Sequence, residues 1–155
     1  MDLFDENIDV KKFLPHRGSM LMVDKHTELS EKIVRTKYKV TEDSLFNEND
    51  YISEFGLIEN IAQTCSVIVG SSYFINSKKE ENNSDVIGYI STIKSINIYS
   101  LAKVNSVLFS KGELISRFDG EGYTICNMKG EIKCNDKIIL DCQLNLFIKK
   151  NGYEG

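Results

Sequence analysis

Proline occurs once, as Pro15, tryptophan never, and histidine only twice, as His16 and His26. Four cysteines, Cys65, Cys126, Cys134 and Cys142, form no C-x-x-C pair and lie far from both histidines. That spacing excludes the usual zinc ligand sets, so no metal is expected. The cysteines read instead as small, reduced core residues, which points to the cytoplasm. No run approaches the length of a membrane span, and the opening MDLFDENIDVKK has no apolar signal core. Neither a membrane nor a secretory route is expected. Lys and Arg number 19 against 23 Asp and Glu, a net charge of −4. Without a basic excess, nucleic acid is not an expected partner. Only Ala62 and Ala102 represent alanine, which we attribute to genome composition.

What is present fits one domain over residues 1–155. Hydrophobic residues make up 41% and charged residues 27%, ordinary values for a globular chain. A short helix is expected near Ile8 to Phe13, stopped by Pro15, which biases Leu14 away from helical backbone. Met20 to Asp24 (MLMVD) reads as a strand and Lys32 to Val40 as a second. Residues 41–53 are polar and read as loop.

Glu54 to Tyr73 carries the one strong helix signal, with Ser53 as its cap. It is apolar on most of its circumference, as a buried helix is. The charged stretch Lys78 to Asp85 reads as a connecting loop. After it come four strand-like runs, Val86 to Ile98, Ser106 to Arg117, Tyr123 to Lys133 and Lys137 to Lys149. Asn135-Asp136 predicts a tight turn between the last two. Two strands, one long buried helix and four antiparallel strands give an α+β fold with the sheet curved around the helix. Such a sheet has edges, and pairing two copies hides them, so a dimer is expected.

Two segments carry more than architecture. Leu14 to Asp24 reads LPHRGSMLMVD, and Gly56 to Gln63 reads GLIENIAQ. Together they resemble the hotdog-fold β-hydroxyacyl-acyl-carrier-protein dehydratases, in which LPHR-x-x-x-L-x-V-D precedes a central helix with an E-A-x-A-Q pattern. The later stretches GYISTIKSINIYSLAK and MKGEIKCNDKIILDCQLNLF are similar to that family's third and final strands. The resemblance spans about residues 8 to 148. It departs at the loop before the helix, where the usual catalytic G-H-F-P-G is replaced by FNENDYISEFG, without histidine. The helix style is most like the divergent aryl-polyene branch (ApeP-like), in which LPH supplies the notable histidine.

Dehydration of a β-hydroxyacyl thioester needs a base for the α-proton, an acid for the hydroxyl and donors for the thioester oxygen. Glu59 lies in an apolar part of the helix, where desolvation would raise its pKa and suit it as the acid. The same Glu also fits a solvent-facing position. His16 is the candidate base by its ordinary pKa, although LPHR also does structural work in members whose catalytic histidine lies elsewhere. His26, among Asp24, Lys25 and Glu28, reads as a surface residue. Gly56 or Leu57 could offer a first-turn N–H to the thioester carbonyl, or Gly56 could serve close packing alone. Gln63, one turn after Glu59, could orient its carboxyl or be a satisfied buried amide. Arg17 could contact the phosphopantetheine phosphate or serve only solubility. In the resembled family acid and base meet across two subunits, so His16 of one chain is expected to face Glu59 of another.

The resemblance therefore implies a 3-hydroxyacyl-[acyl-carrier-protein] dehydratase giving trans-2-enoyl thioesters. It needs no cofactor beyond the 4′-phosphopantetheine arm that arrives with the substrate. Its partners would be acyl carrier protein and a second hotdog subunit, identical or different. Two alternatives stay open: a hotdog acyl thioesterase with Glu59 activating water, and a non-catalytic subunit of a heteromeric dehydratase.

Overall fold

The computed structural model describes residues 7–76 and 86–150. The expected connecting loop at Lys78 to Asp85 lies outside the described residues. Nine strands and one long helix follow in order. They are β1 (Lys25–Leu29), β2 (Ile33–Lys39), β3 (Asn47–Glu48), β4 (Tyr51–Ile52), α1 (Glu54–Asn76), β5 (Val86–Ile98), β6 (Ala102–Lys103), β7 (Val107–Asp119), β8 (Tyr123–Cys134) and β9 (Lys137–Lys150). The main sheet runs β1-β2-β7-β8-β9-β5, antiparallel at every pairing, and β3, β4 and β6 form a small second sheet. The long late strands end within two residues of their expected limits.

Alternation explains the main sheet. In β8 the residues Thr124, Cys126, Met128, Gly130, Ile132 and Cys134 are all buried, and the residues between them are not. One face therefore packs against α1 while the other meets solvent. The helix is about 34 Å long at 1.5 Å per residue, and Leu57, Ile61, Cys65, Val67, Ile68 and Val69 along it are buried. Phe55 departs from the all-round burial expected, with 72% of its surface exposed. Gly112 of β7 and Gly130 of β8 are register partners under the middle of α1. A Cβ on Gly130 would lie 2.4 Å from Ile61 Cγ1, so the missing side chain is what lets the helix approach.

Four local expectations need correction. The run Met20–Asp24 is not a strand; the first strand begins at Lys25. Met22 and Val23 are buried as their apolarity predicts, but side chains of α1, not a neighbouring strand, satisfy the backbone of Met22. The helix expected at Ile8–Phe13 is a single 3₁₀ turn, Val10–Lys12, started by the Asp9 carboxylate accepting from the Lys11 N–H at 2.9 Å. Residues 41–53 contain the β3–β4 hairpin. Its turn is Asn49-Asp50, with φ of 50° and 65°, the same positive pair as Asn135-Asp136 at 50° and 61°. Both are the turn geometry that matches strand twist. Finally, His26 is fully buried, its ring edge-on to Phe13 at 5.7 Å. Its position in β1 points it inward, and that outweighs its charged neighbours.

All four cysteines are buried and free. Burial pushes the thiols of Cys126 and Cys142 up to about 11 and that of Cys65 further still. They are packing residues, not reactive ones. Among the described residues, no helix is long and apolar enough to cross a membrane.

Candidate active site

The first half of α1 brings Glu59, Asn60 and Gln63 against the segment that follows Pro15. The Gln63 side-chain amide makes three hydrogen bonds. Its Oε1 accepts from the Met22 N–H at 2.8 Å, and its Nε2 donates to the Met20 carbonyl at 2.7 Å and to Glu59 Oε1 at 2.8 Å. Gln63 is thus both a satisfied buried amide and the group that orients the Glu59 carboxyl. One turn of helix between them makes this contact possible.

Asn60, fully buried, donates from Nδ2 to the Met22 carbonyl at 2.7 Å. Its Oδ1 accepts from the Ser110 hydroxyl of β7 at 2.6 Å. Two side-chain amides therefore hold both backbone polar groups of Met22, as a neighbouring strand would. Residue type and spacing alone do not single out Asn60. An amide among Ile58, Ile61 and Ala62, where the resembled pattern has alanine, was the available signal.

His16 sits at the turn before this anchored segment. Its Nε2 lies 3.5 Å from Glu59 Oε1 of the same chain, with 23% and 28% of the two side chains exposed. Where a meeting of His16 with the Glu59 of another chain is expected, the two residues of one chain are already together. The distance is beyond a hydrogen bond of normal length but within ion-pair reach. Burial lowers the His16 pKa below its usual value; Glu59 opposes the shift and Arg17 adds to it. The ring is therefore neutral near pH 7. Its Nδ1 is buried without a hydrogen-bond partner among the described residues. Glu59 does not sit in wholly apolar surroundings as expected, since Gln63 and His16 both face its carboxyl.

Arg17 is exposed, and part of its guanidinium is spent within the turn itself. Its Nη1 donates to the carbonyls of Leu14 at 2.6 Å and His16 at 2.7 Å, and its Nη2 to that of Lys11 at 3.0 Å. The guanidinium staples the turn that presents His16. Leu57 is likewise committed: its side chain is fully buried and its N–H donates to the Ser53 carbonyl at 3.1 Å. That bond opens the helix and leaves the Gly56 N–H without an intrahelical acceptor. Gly56 also packs closely, because a Cβ there would lie 2.4 Å from Ile52 Cγ1. A narrow, mainly apolar cavity opens beside the imidazole, bounded by Leu14, His16, Val69, Gly70, Tyr73 and Ile148. Among the described residues, no group of three or more His, Cys, Asp or Glu could hold a metal ion.

Residues 8–153 match the ApeP-like family, described as ApeP dehydratase. No curated protein matches the chain by sequence. The fold is similar to that in the dehydratase heterocomplex ApeI:P from Xenorhabdus doucetiae. That match has a TM-score of 0.77 at 21% identity, over 94% of this chain and 93% of that one. A hypothetical thioesterase with coenzyme A from Streptococcus pneumoniae matches at 0.57 and 19% identity, over 81% and 85%. The E. coli PaaI protein from the phenylacetic acid degradation operon matches at 0.55 and 11%, over 78% and 79%. One long helix on a curved antiparallel sheet, shared with these structures, is the hotdog fold.

Proposed function

The chain belongs to the ApeP-like dehydratase family, and from that membership we propose that it removes water from β-hydroxyacyl chains carried on acyl carrier protein. The product is the trans-2-enoyl thioester. The observation that carries this reading is the 3.5 Å separation of His16 Nε2 and Glu59 Oε1. The elimination takes a proton from one carbon and a hydroxyl from the next, so acid and base must stand side by side.

In this reading His16, kept neutral by burial, takes the α-proton as the base. Glu59, which must enter the step in its protonated form, gives that proton to the departing hydroxyl, which leaves as water while the electron pair of the C–H bond forms the new double bond. The imidazolium and carboxylate left behind are close enough to exchange the proton and restore the starting pair. The Gly56 N–H at the helix start faces developing charge on the thioester oxygen. The apolar cavity beside His16 suits an acyl chain. No cofactor is proposed beyond the 4′-phosphopantetheine arm of the substrate.

We propose further that the working unit contains two hotdog subunits. Among the described residues, strand β5 lies at the edge of the main sheet and pairs only with β9. The heterocomplex nature of the similar ApeI:P structure favours a partner subunit that differs from this chain, and self-pairing is the alternative.

The test incubates the protein, alone and with a co-expressed hotdog partner, with β-hydroxyacyl and acyl forms of carrier protein. Formation of enoyl thioester supports the dehydratase reading. Release of free acid would replace it with a thioesterase that uses Glu59 to activate water. Neither product in either preparation would leave a non-catalytic subunit.

A further inference from the structure

We propose that Asn60 is a positioning residue for the His16–Glu59 pair, acting through the backbone of Met22 and anchored to the sheet by Ser110. The proposal rests on that pair being the reacting groups. A continuous chain of hydrogen bonds supports it. Ser110 Oγ donates to Asn60 Oδ1 at 2.6 Å, and Asn60 Nδ2 donates to the Met22 carbonyl at 2.7 Å. The Met22 N–H then reaches Gln63 Oε1 at 2.8 Å, and Gln63 Nε2 reaches Glu59 Oε1 at 2.8 Å. The Met22 carbonyl, which can only accept, fixes Nδ2 as the end of the Asn60 amide that faces it, and the Ser110 hydroxyl then donates to Oδ1.

What Asn60 holds is the far end of the segment that bears His16. Between His16 and Met22 the chain makes one 3₁₀ turn, Gly18–Met20, with Gly18 in the left-handed region at φ 60°. Among the described residues no strand pairs with residues 18–22, and beyond the turn's own bonds the α1 amides hold this side. Arg17 supplies the restraint on the other. Without the Asn60 donor, the buried Met22 carbonyl loses its partner and the segment must shift to find another. Misplacement of a reacting group by about 1 Å can cost about 10²-fold in rate.

Asn60→Ala removes the amide at a position where the resembled pattern has alanine. Titration of the two imidazoles by NMR reads the effect directly, because the chain has only two histidines. His26, buried against Phe13, is the internal control. The groups facing His16 are Glu59 from α1 and Arg17 beside it, and neither is altered. In Asn60→Ala the His16 pKa is expected to rise towards its ordinary value while the His26 ring resonances stay where they are in the parent. The dehydration kcat is expected to fall by about tenfold to a hundredfold with KM little changed. Ser110→Ala should shift both readouts the same way by less, and it carries the test if Asn60→Ala does not fold. A folded variant in which His16 titrates as in the parent would overturn the proposal and leave Asn60 a packing residue. Equal shifts of both histidines would also overturn it, since general loosening would be the cause. The titration does not depend on turnover. A His16 shift in a protein that dehydrates nothing would refute the dehydratase reading and leave Asn60's hold on His16 standing.

Discussion

His16 Nε2 and Glu59 Oε1 lie 3.5 Å apart in a single chain, His16 on a turn stapled by Arg17 and Glu59 on the helix, oriented by Gln63. The candidate acid and base therefore need no second subunit to meet. A partner can still complete the walls of the site.

Complementation follows from that contact. His16→Ala and Glu59→Gln are each expected to lower dehydration by about 10²–10⁴-fold, the usual loss for a general base or acid. Glu59→Gln should keep the fold, because an amide oxygen can still accept from Gln63 Nε2. Mixing the two variants is expected to restore nothing, since neither chain retains an intact pair. Recovery of a substantial part of the parent rate would show that the working pair forms between chains.

The lowered His16 pKa gives stability a pH dependence of defined sign. Between the lowered folded value and the ordinary 6.5 of the unfolded chain, the unfolded state binds more protons. Stability contributed by the neutral ring is fully present above pH 6.5 and is lost as pH falls through that window. Thermal midpoints of the parent protein and His16→Gln, measured from about pH 8 to pH 5, should converge on acidification. For the same reason, turnover should persist as pH drops through 6.5 and decline only below it. A parent that gains stability over His16→Gln in acid would show that the folded ring is more basic, not less.

Periodicity and turn chemistry made most of the sheet legible. Alternation marked β5, β7, β8 and β9, and Asn135-Asp136 marked the hairpin between the last two. The identical dipeptide Asn49-Asp50 went unread because its flanking strands are only two residues long and show no alternation. Met20–Asp24 imitates a strand for a different reason. Its burial is written in its own side chains, but its hydrogen-bond partners lie on a helix about 40 positions away. Glu59, Gln63 and His16 are marked by the resemblance of LPHR and GLIENIAQ to the dehydratase pattern. The roles of Arg17 and Asn60 depend on which backbone carbonyls come within reach, and only the folded chain determines that.

Gly70 tests how tightly the His16 segment is seated on α1. A Cβ there would lie 2.0 Å from the Phe13 carbonyl oxygen, a backbone atom with no rotamer to yield. Glycine to alanine in a helix interior normally stabilises by about 1 kcal/mol, whereas overpacking costs about 1–3 kcal/mol. With a clash this short the second effect should win. Gly70→Ala is expected to lower the unfolding free energy by about 1–2 kcal/mol and to reduce turnover by displacing Phe13 to His16. A variant with higher stability and full activity would mean that the segment rides loosely over the helix.

The edge strand β5 bears on assembly. Its Ile90, Ile93, Ile96 and Ile98 are in register with Leu146, Leu144, Cys142 and Leu140 of β9, all buried beneath the helix layer. Yet Ile93 is 41% exposed, and the other three are only half-buried. A thirteen-residue edge with an uncovered apolar row is a pairing surface unless something blocks it. Ile93→Lys places a charge in that row without removing a backbone donor. If the chain pairs with itself, light scattering of the parent at micromolar concentration should give twice the chain mass. The Lys variant should then fall to near 17.6 kDa with an unchanged circular dichroism spectrum. If the parent is already near 17.6 kDa alone, the same substitution should abolish co-purification with a different hotdog subunit. A Lys variant that assembles as the parent does would place the interface away from β5.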